Sequence, residues 1–154
     1  MRNSKNLTYL LISEHSERYN IMREYLSLLW NIPINQIFGA KTRLEADALL
    51  AKHEIDVVLI YDNISSRDLG DVGMLNLSDN PRLNGLRYAA CLSELIIRNK
   101  KGHIRICFMW LTAWSASYVE KLEYAVGENG LATQALPEDL KGTMQKFVDW
   151  VQED

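Results

Sequence analysis

Residues Ile55 to Asn63 read Ile-Asp-Val-Val-Leu-Ile-Tyr-Asp-Asn. Val57 to Tyr61 form an unbroken apolar run, rich in β-branched types, that ends abruptly in an acid and an amide. A short apolar run bounded by polar residues is the pattern of a strand buried on both faces, as at the middle of a parallel sheet. Asp62 then falls at the carboxyl end of that strand, where open α/β sheets carry their ligands and reactive groups.

Upstream, Leu7 to Ile12 reads as a first strand, followed by the polar turn Ser13-Glu14-His15-Ser16. From Glu17 to Asn31 the apolar residues Ile21, Met22, Tyr25, Leu26 and Leu29 recur at helical spacing. Pro33 stops that helix, and Ile37 to Ala40 is a short second strand. Thr42-Arg43-Leu44-Glu45 matches a capping box, in which Thr42 and Glu45 satisfy free N–H groups at the start of a helix running to about His53.

Downstream, the pattern dissolves into a long loop at about residues 64–85. Ser65 to Gly85 holds three glycines, a proline and many Asp, Asn and Ser residues. A loop of that length in a compact domain is often functional. Leu86 to Arg98 is helical, with Leu92, Leu95 and Ile96 inward. His103 to Ala113 is a buried strand. Ser117-Tyr118-Val119-Glu120 offers a second capping box, for a helix closing near Gly127. Leu131 to Leu136 is the last strand. Pro137-Glu138-Asp139 opens a final helix whose buried stripe is Leu140, Met144, Phe147, Val148 and Val151.

The order is β-α five times, which implies a parallel sheet with helices on both faces and right-handed crossovers. The expected fold is α/β: a flavodoxin-like, doubly wound, five-stranded sheet, (βα)5, with strand order 2-1-3-4-5. The 154 residues fit a single domain over 1–154. A net charge of -3 carries no basic footprint, which argues against direct nucleic-acid binding. No apolar run approaches the about 18 residues that span a bilayer. The opening Met-Arg-Asn-Ser-Lys-Asn lacks the apolar core of a signal peptide, so a cytoplasmic protein without membrane contact is expected. Cys91 and Cys107 lie in apolar surroundings outside any C-x-x-C pair and read as buried thiols.

Read in order, these stretches resemble the receiver domains of bacterial response regulators over nearly the whole chain. The matching pieces are Leu-Leu-Ile-Ser-Glu-His across the end of the first strand, Asp62 at the end of the third and Thr112-Ala113 at the end of the fourth. Gly127-Glu128-Asn129-Gly130 before the fifth strand and Pro137-Glu138-Asp139-Leu140 after it complete the set. The resemblance implies Asp62 as phosphoacceptor and metal ligand, Glu14 as a second ligand for Mg²⁺, and Thr112 as the switch hydroxyl. It also implies a histidine kinase or other signalling protein as partner, with a homodimer left open, and a role that is not enzymatic.

The departures are as informative. Ser13 stands where the family has the first of its acids. The family's lysine near the end of the fifth strand has no counterpart: counting from Gly127 puts Gln134 there, and counting back from Pro137 puts Thr133. Counting from Asp56 instead puts Tyr61 at the phosphoacceptor position. Gln134 can donate a hydrogen bond but brings no charge to a phosphoryl group. Three readings stay open: a phospho-receiver, a pseudo-receiver that kept the fold as a protein-interaction module, and a small flavodoxin-like binding protein unrelated to phosphorelay. Each site residue also has a plain structural reading. Asp62 can end a strand, Glu14 can favour a helix dipole, and Thr112 can be an ordinary β-branched strand residue. His15 beside Glu14 hints weakly at a metal, and Trp110 and Trp114 read as packing residues. The loop and the region of Trp114, Tyr118 and Tyr124 are the candidate contact surfaces.

Overall fold

The computed structural model describes residues 2–61, 88–90, 92–93, 103–111 and 116–153, without the side chains of 116, 118 and 137. Five strands run β1 (Tyr9–Ile12), β2 (Ile37–Ala40), β3 (Val57–Tyr61), β4 (Arg105–Trp110) and β5 (Leu131–Gln134). All four pairings are parallel and the order is β2-β1-β3-β4-β5, as expected. Helices α1 (Ser16–Trp30), α2 (Arg43–Lys52), α3 (Ala116–Val126) and α4 (Leu140–Val151) alternate with them, and residues 88–90 and 92–93 are also helical.

The alternation of side chains along each strand divides the core in two. Tyr9, Leu11, Val57, Leu59, Tyr61, Cys107 and Met109 face α1 and α4, meeting Met22, Leu26, Met144, Phe147 and Val148. Leu10, Ile12, Val58, Ile60, Ile106, Phe108 and Trp110 face the other way, meeting Ala46, Tyr88, Leu92, Leu122 and Val126. Both faces of β3 are therefore buried, which is why its five residues carry no charged side chain. Cys107 is buried, and burial pushes its thiol pKa well up, against the weaker opposite pull of Lys146 and Arg105. Cys91 lies outside the described residues.

The helix ends follow local chemistry with three corrections. Thr42 Oγ1 accepts from Glu45 N–H at 3.2 Å, but the Glu45 carboxylate takes the N–H of Lys41 at 2.7 Å, one residue before the cap. Ser117 does not cap α3: the helix is already running at Ala116, so Ser117 lies inside its first turn. Pro137 opens a 3-10 turn (Pro137–Asp139), and Asp139 caps α4 itself by accepting from Gly142 N–H at 3.0 Å. α1 ends at Asn31 in the left-handed conformation (φ 55°), ahead of Pro33, and α3 closes at Gly127 (φ 84°).

The α1 stripe buries less than its spacing suggested. Met22 and Leu26 are core residues, whereas Ile21 and Leu29 are 43% and 45% exposed. A helix on a sheet touches it along a narrow strip, and these two residues lie beyond it. The stripe of α4 is buried at Met144, Phe147, Val148 and Val151, and Trp150 joins it. The expected loop at 64–85, with Trp114, Leu95 and Ile96, lies outside the described residues. Among the described residues, no helix is long and apolar enough to cross a membrane.

Candidate functional site at the carboxyl edge of the sheet

Parallel pairing brings the carboxyl ends of the strands to one edge. Ile12 is level with Ile60, Tyr61 with Met109, and Trp110 with Gln134. Ser13 continues β1 by donating its N–H to Ala40 O at 3.1 Å. Its side chain is buried, and Ser13 Oγ accepts from His15 N–H at 3.2 Å. That small turn swings the chain into α1.

Glu14 is half-buried, with its Oε1 3.3 Å from His15 Nε2. His15 occupies the cap position of α1 without a side-chain capping bond. Tyr61 is the last residue of β3 and is 6% exposed, with the Arg18 guanidinium 5.8 Å from its ring centre. It is a core side chain on the α1 face. Asp62 and Thr112, the expected phosphoacceptor and switch hydroxyl, lie outside the described residues.

The two residues weighed for the lysine position point to opposite faces. Gln134 shares the face of Ala132 and Trp110, and its Nε2 lies 3.4 Å from Leu111 O, one residue before Thr112. Thr133 is buried on the α4 side, and its Oγ1 accepts from Lys146 Nζ at 3.1 Å. A cation therefore does reach β5, but it comes from the last helix and is spent on Thr133. Lys146 was missed in the sequence because its position alternates with buried Met144 and Phe147 and reads as a solvated helix face.

Among the described residues, no three of His, Cys, Asp and Glu come together to hold a metal ion. Glu14 is the described acid at the edge beside Ser13, and it lies against His15. Mg²⁺ takes near-octahedral oxygen ligands, commonly one or two carboxylates. The described donor set does not complete such a site.

No family model matches the sequence, and no curated protein matches it. Solved structures do match. The signal receiver domain of a DNA-binding response regulator from Colwellia psychrerythraea is 16% identical, with 94% of this chain and 99% of that one covered and a TM-score of 0.60. A chemotaxis protein of Vibrio cholerae is 15% identical, with 91% and 97% covered and a TM-score of 0.60. The isolated receiver domain of the regulator RcsB from Salmonella enterica, determined with the phosphomimetic beryllofluoride, is 12% identical, with 94% and 89% covered and a TM-score of 0.59. At these identities the likeness establishes a shared fold: that of response-regulator receiver domains, over nearly the whole chain.

Proposed function

We propose that this chain is a receiver-like module of two-component phosphorelay signalling that works through protein contacts, with its aspartate switch weakened or lost. The observation that carries the reading is that two positions of the carboxyl edge, Ser13 and Gln134, carry no charge within a receiver fold. A buried serine stands at the place of the first acid, and an uncharged amide at Gln134 lies against the Leu111 carbonyl.

Phosphoryl transfer to a carboxylate is mostly positioning and electrostatics, so it depends on cations around the transferred group. In this reading Asp62 is the nucleophile and Thr112 the hydroxyl that receives a phosphoryl oxygen. Glu14 and Asp62 are the acids left for Mg²⁺, whose chemistry would be to neutralise the phosphoryl oxygens. A hydrogen bond from Gln134 supplies direction without charge. Lys146 does not make up the difference, because its ammonium is on Thr133, on the opposite face of β5. The output is then recognition of the folded surface by a histidine kinase or another signalling protein, or by a second copy, in a cytoplasmic setting and with no turnover of its own. Tyr124, 81% exposed on α3, is the described aromatic on the surface proposed for contact.

The test is amide NMR of the full chain with millimolar Mg²⁺ and beryllofluoride, a mimic of aspartyl phosphate, against an Asp62→Asn control. Spectra that do not change support the weakened switch. Saturable shifts at Glu14, Leu111 and Gln134, absent in the control, would overturn that part and make the chain a working phospho-receiver.

A further inference from the structure

On the β2 side of β1, the ends of both strands and the first turns of α1 and α2 border an open cavity of about 320 Å³. That is the lower end of the range in which proteins hold small molecules. One wall is the Tyr19 ring, which lies so close over Gly39 that a Cβ there would clash with the ring. Glycine at 39 is what lets the ring cover the end of β2.

The polar side chains of this cavity are Ser13, Ser16, Tyr19, Asn20, Lys41 and Glu45, with one cation and one acid among them. Ser13 is 1% exposed, and its oxygen accepts from His15 N–H while its own proton has no acceptor among the described residues. The Ser16 hydroxyl and the Lys41 ammonium also line the cavity and have no partner among the described residues. Glu45 is the one acid in the lining, and its Oε2 is held by the N–H of Lys41. A buried hydroxyl with an unused proton, beside an unpaired ammonium, calls for a ligand that brings acceptors.

We propose that this cavity binds a small, flat organic anion. Its carboxylate or phosphate oxygens accept from Ser13, Ser16 and Lys41, and its body lies against Tyr19. The site uses neither Asp62 nor Gln134 and shares only Ser13 with the phosphorelay reading, so the Asp62→Asn variant separates the two.

The experiment titrates the full chain with benzoate, phenyl phosphate and inorganic phosphate, read by amide NMR. Wild type is compared with Lys41→Gln, Ser13→Ala and Asp62→Asn. The expected result is saturable shifts at Ser13, Gly39 and Lys41 with benzoate or phenyl phosphate, at millimolar affinity. Binding weakens about tenfold in Lys41→Gln, as for loss of one charge-assisted contact. Inorganic phosphate, lacking the body, binds more weakly, and Asp62→Asn binds like wild type. Lys41 is exposed, so its variant keeps the test decisive if Ser13→Ala does not fold. No saturable shift by about 10 mM of either aromatic probe overturns the proposal. So does undiminished binding in Lys41→Gln, or a set of shifts centred elsewhere.

Discussion

Arg105, at the start of β4, ties the last helix to the sheet. Its Nη1 donates to Trp150 O at 2.8 Å, its Nε donates to Asn129 O at 3.2 Å, and its guanidinium lies 4.2 Å from the Trp150 ring centre. The contacts to Val151 O at 3.4 Å and Glu153 O at 3.5 Å are too long to add much. The last carbonyls of any helix lack partners within it, and here a side chain from a strand supplies them. Arg105→Met keeps most of the stem and removes every donor. Each of the two short charged hydrogen bonds contributes about 1 kcal/mol at this half-exposed site, at or below the usual range. The ring contact adds about 0.5–1 kcal/mol. The expected loss is about 2–3 kcal/mol, or roughly 5–10 °C in Tm for a chain of this size. Urea unfolding followed by far-UV circular dichroism measures it, and Arg105→Lys, which keeps the charge but loses the fork, should recover less than half. A loss under about 0.5 kcal/mol for Arg105→Met would refute the assignment of this residue as the cap of α4.

Two other outcomes test the core. The Cys107 thiol keeps its proton in the folded chain to a pH well above its ordinary 9.0, because burial disfavours the thiolate. In the unfolded chain it ionises near that value, so above it the folded state holds one more proton and stability falls as pH rises, by about 1.4 kcal/mol per pH unit. Tyr9, whose pKa is also raised by burial and then by Asp56, adds the same sign of loss above 10.0. Urea unfolding of Cys107→Ala between those two values should show the slope removed; an unchanged slope would mean that the thiol is not the source. At the centre of the sheet, Leu59 is fully buried, and Leu59→Ala should cost about 2–5 kcal/mol. Its amide hydrogen exchange should speed up together with that of Leu11 and Cys107, its neighbours on β1 and β4.

Periodicity, end signals and the spacing of punctuating residues are local, and the sequence alone carried most of them. Val57 to Tyr61 could only be a strand covered on both sides, because every position needed burial. Thr42 and Gly127 bound their helices because capping acts within a single turn. Alternating strand and helix patterns then led, by themselves, to a five-stranded sheet in the order 2-1-3-4-5.

What joins residues far apart in the chain had no local signal. The width of the α1 contact left Ile21 and Leu29 in solvent, although their spacing matches that of Met22 and Leu26. The second capping box failed at Ser117 because α3 begins one residue earlier. Lys146 meets Thr133 and Arg105 meets Trp150 only once α4 lies along the sheet. The cavity exists only because Gly39 admits the Tyr19 ring, on an element 20 residues away in sequence. A helix cap is decided by the dihedrals and hydrogen bonds of a few successive residues, and a strand's side-chain alternation by their dihedrals. A site is decided by which side chains packing brings together, and that is written only in the tertiary structure.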